Sequence, residues 1–332
     1  MTTVAVAPAI SVLIPSFNGR EELLRCLKRL ACQSLPPGEF EVVVTLDGST
    51  DGSRDALRRL ALPLALQVIE QPNRGRAAAL NAAAARAGGD YLVVIDGDIQ
   101  VNEDFLAAHR RTLQEADISV GPIPMDPSSP VNYVTDPVGE WGVQHARHMA
   151  SSGGPRRCSQ FFGANMAFRA EVFRELGGYR EDFLRTEDWE LGRRILARGC
   201  RVAWCPGAVA AQVFDKSIAA LFRDTELAGA AQARFAREFP EVRGELRLAR
   251  WGEVTPFKRW LRPRVMARTP LGRGTLALIK LVLEGARRAG CRGRFWRELL
   301  GASRDAVYFR GVQDALGDAA AFRHLVAAEP VP

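Results

Sequence analysis

Short apolar runs alternate with helical patterns over the first hundred residues. Each run is rich in valine, isoleucine or leucine and ends in a polar, turn-forming segment. Strands that alternate with helices in this way predict βαβ units and a mostly parallel sheet. The predicted strands cover residues 10–14, 41–46, 65–69 and 91–95, and the predicted helices cover residues 20–30, 53–60 and 75–87.

The middle of the chain gives a weaker pattern. Residues 121–162 are rich in Pro, Gly and Ser and enclose Trp141, His145 and His148, so we expect a long functional or mobile loop. A second ordered region follows, and from residue 218 onward the pattern is helical. Strands are predicted at residues 161–168 and 201–205, and helices at residues 170–176 and 187–198.

Charge divides the 332 residues into two parts. The net charge is +7, and residues 241–332 hold 18 Lys and Arg against 9 Asp and Glu, whereas residues 1–240 hold 27 against 29. An asymmetry of this size indicates two parts with different roles. We therefore predict an α/β domain over residues 1–215 and a helical, basic region over residues 216–332.

The cysteines and the apolar runs bear on location. Six cysteines are scattered without a CxxC pair, which argues against zinc and favours free thiols in a reducing cytoplasm. Cys200 and Cys205 flank a predicted strand and are expected in the core. We see no signal peptide and no apolar run long enough to span a membrane, so we expect a cytoplasmic protein.

Two carboxylates follow the fourth predicted strand. In Asp96-Gly97-Asp98 they are two residues apart in a tight loop. Carboxylates so placed can share a divalent cation, and Mg²⁺ or Mn²⁺ suits the task because hard cations take oxygen ligands and bridge phosphates. A solvated turn at a strand end is the alternative.

A second acidic segment, Thr186-Glu187-Asp188-Trp189, opens a predicted helix. Thr186 is a good N-cap residue, and acids are favoured in a first helical turn, so a purely structural role explains the pattern. The functional interpretation is that one acid is a general base, kept ionised by the helix N-terminus.

Six segments in order resemble glycosyltransferase family 2, the inverting group with the GT-A fold. The resemblance runs from Ile10 to about Gln212. The segments are Pro15-Ser16-Phe17-Asn18; Asp47-Gly48-Ser49-Thr50-Asp51; Asn73-Arg74-Gly75-Arg76-Ala77 through Asn81; Asp96-Gly97-Asp98; Gly163-Ala164-Asn165 with Phe168-Arg169 and Gly177-Gly178-Tyr179; and Glu187-Asp188 with Arg194.

The resemblance implies a Rossmann-like, mostly parallel sheet flanked by helices, with a helical C-terminal appendage. Residues 1–120 would hold a nucleotide-sugar donor and residues 121–215 an acceptor hydroxyl. A divalent cation would assist transfer, and the anomeric centre would be inverted in one displacement. Pro15, Asn18, Asp47, Asn73, Gly75, Arg76 and Asp96 are implied on the donor side, Asn165, Glu187 and Trp189 on the acceptor side, Asp98 at the cation and Asp188 as the base.

Two positions depart from the family pattern. The first acid of its Asp-Asp pair is Leu46 here, and the late histidine that often completes the metal site aligns with Gln212. Glutamine suits Mg²⁺ better than a transition metal. We expect Gln212 beside Asp98, with the choice of metal open.

Three functions stay open at this point. An active transferase acting in polysaccharide, glycolipid or other glycoconjugate synthesis is the first. A nucleotidyltransferase could share the sheet, but such enzymes usually carry a Gly-rich basic loop where Pro15-Ser16-Phe17-Asn18 stands. A catalytically silent nucleotide-sugar binding module is the third, because Leu46 and Gln212 depart from the pattern while Asp98 and Asp188 are intact.

The basic C-terminal region has two interpretations. It could bind an anionic membrane and approach a lipid-linked acceptor, because aromatic and basic residues alternate there. It could instead pack its apolar residues on the catalytic domain or a second subunit, with solvated arginines. Nucleic acid is not expected, since no recognition motif is present. The residues concerned are Trp251, Phe257, Lys258, Arg259, Trp260, Leu261, Arg262, Arg264, residues 276–283, Arg287, Arg288, Arg292, Arg294, Phe295 and Trp296.

The four histidines, His109, His145, His148 and His324, show no metal-ligand spacing beyond the i, i+3 pair His145 and His148. We expect them on the surface or in loops. Arg156 and Arg157 are either diphosphate contacts or solvated.

Overall fold

A seven-stranded sheet forms the centre of the first part of the chain in the computed structural model, which describes residues 8–327. The strand order is β3-β2-β1-β4-β7-β6-β8. The strands are β1 (Ile10–Ser16), β2 (Phe40–Asp47), β3 (Ala65–Gln71), β4 (Tyr91–Ile95), β6 (Ile118–Val120), β7 (Asn165–Arg169) and β8 (Val202–Trp204).

Strands β1 to β4 are parallel, and buried apolar side chains lie beside one another on neighbouring strands. Val12 on β1 pairs with Val42 on β2 and with Val93 on β4, and all three side chains are fully buried. A strand covered on both faces needs such a continuous apolar run. β7 is the antiparallel strand between β4 and β6. The predicted α/β sheet is confirmed.

Helices cover both faces of this sheet. Helix α3, for example, buries Ala77, Leu80 and Ala83 in the apolar cluster beneath β1 and β2. The helices are α1 (Arg20–Leu30), α2 (Ser53–Arg58), α3 (Arg76–Arg86), α4 (Phe105–Glu115), α5 (Asp136–Ser152), α6 (Ala170–Glu175) and α7 (Glu187–Ala197).

The prediction of a long loop over residues 121–162 is wrong. Its centre forms α5, a helix of 17 residues. The predicted strand at 161–168 is also too long, since β7 begins at Asn165 and a short 3₁₀ turn (Cys158–Gln160) precedes it. Glycine and serine in residues 136–152 lower the local helix propensity, which is why the pattern did not predict this helix.

A short second sheet places one predicted residue. β5 (Ile99–Val101) pairs antiparallel with β9 (Ala210–Gln212), and Gln212 lies opposite Ile99. Gln212 is therefore paired with the residue that follows Asp98 in the chain. More than one hundred residues separate β5 from β9, so no local sequence pattern reveals this pairing.

The contacts divide the chain into two compact units. The first comprises the described residues up to Ser128 together with Trp141–Val213, and the second comprises Ser129–Glu140 and the residues from Phe214 on. The predicted boundary at residue 215 did not anticipate that Ser129–Glu140 belong with the second unit. No helix in residues 8–327 combines the length and apolarity needed to cross a bilayer.

The second unit is helical. Helices α8 and α11 approach closely at two glycines. A Cβ built at Gly229 would lie 2.1 Å from the carbonyl oxygen of Tyr308, and a Cβ built at Gly311 would lie 1.9 Å from the carbonyl oxygen of Glu226. Glycine is required at both positions of this contact. The helices are α8 (Ile218–Glu238), α9 (Pro256–Met266), α10 (Pro270–Arg288), α11 (Arg294–Leu316) and α12 (Ala319–Ala327).

The core of this unit includes Arg262, an arginine that both interpretations of the sequence placed outside it. Arg262 donates to Asp305 at 2.6 Å, is 4 % exposed, and has its guanidinium over the Trp251 ring at 4.3 Å. Leu261 is buried as well. Leu261 and Arg262 therefore lie in the core of this unit, and the expectation of solvated arginines is wrong for Arg262.

His109 contradicts the expectation that the histidines lie at the surface. It is fully buried on α4, with Nδ1 at 2.8 Å from Ser119 Oγ and Nε2 at 2.9 Å from Asn165 Oδ1. Burial lowers the pKa of His109 from 6.5 to about 4, opposed by the hydrogen bond to Asn165 Oδ1. A neutral imidazole thus joins α4, β6 and β7.

This burial predicts loss of stability in acid. The unfolded chain takes up a proton on His109 below about pH 6.5, whereas the native chain takes it up only near pH 4, so stability falls as pH drops through that window. We expect up to about 3 kcal/mol of loss from this residue, measured by urea unfolding. The His109→Gln variant should be less stable than the wild type at pH 7. Its free energy of unfolding should change less between pH 6.5 and 4.5. The exposed-site control His324→Gln should keep the wild-type slope.

Candidate active site

The carboxyl ends of β1, β2 and β4 meet at an open cleft of about 550 Å³. Ligands of parallel sheets bind at this edge, outside the strand ends. Most of the residues predicted on the donor and cation side line the cleft. The lining residues are Pro15, Ser16, Phe17, Asn18, Gly19, Glu22, Asp47, Arg76, Ala79, Asp96, Gly97 and Asp98.

Asn18 fixes the first loop of the cleft. Its φ is 50°, a left-handed conformation that asparagine tolerates better than most residues. Its Oδ1 accepts from the Thr50 backbone N–H at 2.8 Å, and its own N–H donates to Ser49 Oγ at 3.1 Å. Asn18 therefore ties the loop after β1 to the loop after β2.

Asp47 organises the loop after β3. Its carboxylate accepts from the backbone N–H groups of Arg74 at 2.9 Å and Gly75 at 2.8 Å, and from Gln71 Nε2 at 2.8 Å. Asn73 is exposed and outside the cleft lining, with its backbone against Gly48. Asn73 and Gly75 thus shape the loop rather than line the cleft.

Arg76 joins the donor-side and acceptor-side segments. Its Nε donates to Asp96 at 2.8 Å, and its Nη1 donates to Glu187 at 3.2 Å. Burial alone would lower the pKa of Arg76, but these two carboxylates raise it above its ordinary value. A Cβ built at Gly163 would lie 2.7 Å from both Nη atoms, so the guanidinium also needs glycine there.

Asp188 lies at the start of α7. Its Oδ2 accepts from the Gly163 backbone N–H at 3.2 Å, and its Oδ1 accepts from that of Trp189 at 2.9 Å. Burial raises the pKa of Asp188 to about 7, Glu187 adds to the rise, and Arg76 with the two N–H groups opposes it. A carboxylate with this pKa can exchange a proton near neutral pH.

Asp98 and Gln212 are brought together as predicted, since Gln212 Nε2 lies 2.9 Å from Asp98 Oδ2. Rotation of the amide would turn its oxygen towards the same point. Among the described residues no cluster of three His, Cys, Asp or Glu side chains could enclose a metal. One carboxylate and one amide oxygen fit Mg²⁺ or Mn²⁺, because such ions keep waters and take further ligands from substrate phosphates.

Leu46, where the family pattern has an acid, lies in the core. Its side chain is 3 % exposed and belongs to the apolar cluster of β1, β2 and α1. A carboxylate there would lose its hydration without a partner. The substitution therefore leaves the cleft itself with Asp47 as its acid on β2.

Two predicted features lie elsewhere than expected. Asn165 is fully buried, and its Nδ2 donates to the carbonyl oxygens of Pro122 and Ala208, each at 2.9 Å. An acceptor would not reach it, so the side chain supports the fold of the site. Thr186 precedes α7 but makes no side-chain cap, and its hydroxyl is buried without a hydrogen bond among the described residues.

The sequence analysis missed two contributors. Phe17 is 55 % exposed on the cleft wall, and Gly163 both holds Asp188 and makes room for Arg76. An exposed aromatic residue directly after a strand was a usable signal for Phe17. Gly163 belonged to a family-like segment, but its role was not predicted, because that role depends on a guanidinium 87 positions earlier in the chain.

Family models match the chain over this same region. Residues 11–177 match the model described as glycosyl transferase family 2, which is half of the chain. Residues 144–214 match a second model, described as the N-terminal domain of galactosyltransferase. The two matches together cover both the strand-end cleft and the Asp188 segment.

The chain is also similar in sequence to curated proteins. The succinoglycan biosynthesis protein ExoA of Rhizobium meliloti is 30% identical over 200 residues, 58% of this chain and 59% of that protein. Validoxylamine A glucosyltransferase of Streptomyces hygroscopicus subsp. limoneus is 28% identical over 282 residues, 72% of this chain and 58% of that protein. The aligned regions thus span about three fifths of each relative's length.

A solved structure shares the fold. The mannosyltransferase PcManGT from Pyrobaculum calidifontis, in complex with GDP-Man and Mn²⁺, superposes with a TM-score of 0.62 at 22% identity. The superposition covers 95% of this chain and 88% of that one. The likeness establishes a GT-A fold that extends into the helical part of the chain.

Proposed function

The chain belongs to glycosyltransferase family 2, and from this premise we propose that it transfers a sugar from a nucleotide-diphosphate sugar to an acceptor hydroxyl, with inversion. The observation that carries the proposal is one contact chain. Arg76 bridges Asp96 in the strand-end cleft to Glu187, the neighbour of the raised-pKa carboxylate Asp188. A binding module has no need of a half-ionised carboxylate beside its nucleotide cleft.

In the proposed reaction the acceptor oxygen attacks the anomeric carbon, and the bond from that carbon to the diphosphate oxygen breaks with its electron pair. The acceptor proton passes to the Asp188 carboxylate. Backbone N–H groups of Gly163 and Trp189 hold that carboxylate in place. Attack opposite the leaving group inverts the centre, and a positioned base contributes about 10²–10⁴ in rate.

Asp98 and Gln212 would hold the divalent cation, consistent with the Mn²⁺ in the complex of the structural relative. When bound, the cation supplies charge neutralisation for the departing diphosphate. Asp47 and Asn18 then fix the loops around the nucleoside. Phe17 presents the face of its ring to the nucleobase.

Asp188→Asn should lower transfer by about 10²–10⁴ and leave nucleotide-diphosphate affinity nearly unchanged. Wild-type transfer should fall about tenfold per pH unit below about pH 7, because protonation removes the base, and should level off above it. The measurements are transfer rates with a nucleotide-sugar panel and calorimetric titration with UDP and GDP. The exposed-carboxylate control Asp182→Asn should behave as wild type. Wild-type turnover by Asp188→Asn would exclude Asp188 as the base, and donor hydrolysis or transfer would exclude a silent module.

Asp98→Ala should weaken Mn²⁺ and Mg²⁺ binding in the presence of nucleoside diphosphate by at least about tenfold, because it removes the charged ligand. Activity should vanish with a chelator and return with either metal. Gln212→His should raise Mn²⁺ affinity, since imidazole suits transition metals, and Asp104→Ala, an exposed acid six residues away, is the control. Full activity in excess chelator would contradict a metal-assisted reaction.

We further propose that the enzyme acts in the cytoplasm, in glycoconjugate synthesis such as that of polysaccharide, at a membrane surface that presents a lipid-linked acceptor. All six cysteines are free thiols, as in a reducing compartment. The proposed membrane contact is the outer face of α10. There Leu271, Leu278 and Leu281 are 80 %, 62 % and 72 % exposed.

The register of α10 separates three faces. At 100° per residue, the buried residues Gly272, Leu276, Leu283 and Ala286 form one stripe. The exposed leucines lie with Gly274, Thr275, Val282 and Gly285 on a face without charge. Arg288 borders that face and pairs with Glu284 at 3.1 Å, and Arg273 lies beyond them on the same side; each cation near an anionic leaflet contributes ~1 kcal/mol. This combination of apolar face and cationic flank fits an anionic lipid surface.

Leu278→Asp should reduce co-sedimentation with phosphatidylglycerol vesicles several-fold, because it puts a carboxylate on the uncharged face. Ala277→Asp adds the same charge at the neighbouring exposed position, outside that face, and should bind nearly as wild type. High salt should weaken wild-type binding. Equal binding by both variants would overturn the membrane contact. A wild-type dimer in light scattering that Leu278→Asp dissociates, without vesicle binding, would assign the face to a second copy.

A further inference from the structure

An aromatic cluster lies on α5 and the segment that follows it, within the first unit. The Trp141 and His145 rings stack at 5.0 Å with an interplanar angle of 13°. The Phe162 ring meets both edge-on, at 5.3 Å from Trp141 and 5.0 Å from His145. Trp141 is nevertheless 47 % exposed. A large ring is thus fixed by neighbours while much of its surface stays open to solvent.

This cluster is anchored to the base side of the site. Phe162 immediately precedes Gly163, whose backbone N–H donates to Asp188 Oδ2 at 3.2 Å. The rings therefore adjoin, along the chain, the residue whose N–H positions the proposed base.

The same helix is anchored to the cation side. A Cβ built at Gly142 would lie 3.6 Å from the carbonyl oxygen of Ile123 and 3.8 Å from Pro124 Cα, so this turn is in contact with that segment. The Pro124 carbonyl accepts from the Gln212 N–H at 2.9 Å, and Gln212 in turn contacts Asp98. Helix α5 from Trp141 onward is thus linked to both halves of the reaction centre.

The chemistry of the cluster is that of an uncharged aromatic surface. Burial lowers the pKa of His145, and neighbouring His148 adds to the effect, so the imidazole is neutral at neutral pH. Neutral rings do not select phosphate. They do attract polarised C–H groups to the negative face of the ring, and a pyranose presents several such groups on one side.

We propose that Trp141, with Phe162 and His145 behind it, is the acceptor subsite, and that it takes a pyranose ring whose C–H face stacks on the indole. This inference rests on the proposed transferase function, since it assigns the hydroxyl that Asp188 deprotonates to a cyclic sugar. An acyclic polyol has no flat C–H face and would not be retained, which makes the inference specific.

The test uses simple glycosides and saturation-transfer NMR on the full chain. Methyl glucopyranoside, methyl mannopyranoside and N-acetylglucosamine are the probes, and sorbitol is the acyclic comparison. Trp141→Ala should weaken the response to at least one pyranoside by about 3- to 10-fold, the range of one aromatic stack. Trp141→Phe should keep most of it. Trp260→Ala removes a tryptophan of similar exposure, 53 %, in the second unit and should change nothing.

A second arm separates this inference from the proposed function. UDP and GDP binding with Mn²⁺ should be equal in all variants, and circular dichroism should show that each is folded. Absence of nucleotide binding by the wild type would count against the transferase function itself. Intact nucleotide binding with no pyranoside response, with equal responses from sorbitol and the pyranosides, or with an unchanged response in Trp141→Ala would overturn the acceptor subsite alone.

Discussion

The site depends on one half-buried cation between two carboxylates. Arg76 leaves the first turn of α3 and reaches Asp96 after β4 and Glu187 at the start of α7. Its two ion pairs join segments that are 91 residues apart. Breaking such a pair leaves an uncompensated charge, which costs more than the pair contributes. The need to keep both ion pairs explains why Gly163 must leave room for the guanidinium. It also explains why Asp47 fixes the loop before α3.

The same cation sets the proton affinity of the proposed base. Burial and the Glu187 charge both favour the protonated form of Asp188, while Arg76 and two backbone N–H groups favour the carboxylate. These opposing effects are comparable in size, so the pKa of Asp188 lies at about 7. An isolated surface aspartate would be ionised but weakly basic, and a fully desolvated one would stay protonated. A base that must take a proton in water at neutral pH needs the intermediate case.

The sequence predicted what depends on local pattern and failed where distant partners decide. Apolar β-branched runs located β1, β2 and β4, because strands covered on both faces need them. Helix α5 was missed, since its Gly and Ser residues lower helix propensity. His109 was misplaced because nothing near it in sequence shows Ser119 or Asn165 beside it. In the C-terminal helices the sequence revealed apolar and basic segments but not which face is buried, so the membrane and packing interpretations stayed open for buried Leu261 and for exposed Leu278 alike.

The two departures from the family pattern differ in kind. Leu46 alternates with residues of β2 that face the other side of the sheet, and its side chain lies in the apolar core, where leucine adds packing and an acid would be penalised. Gln212 lies at the site, beside Asp98, on a strand whose pairing fixes that position. A neutral amide can donate to the carboxylate or offer oxygen to a cation, whereas a histidine offers a stronger transition-metal ligand. The first departure therefore concerns folding, and the second bears on which cation this cleft prefers.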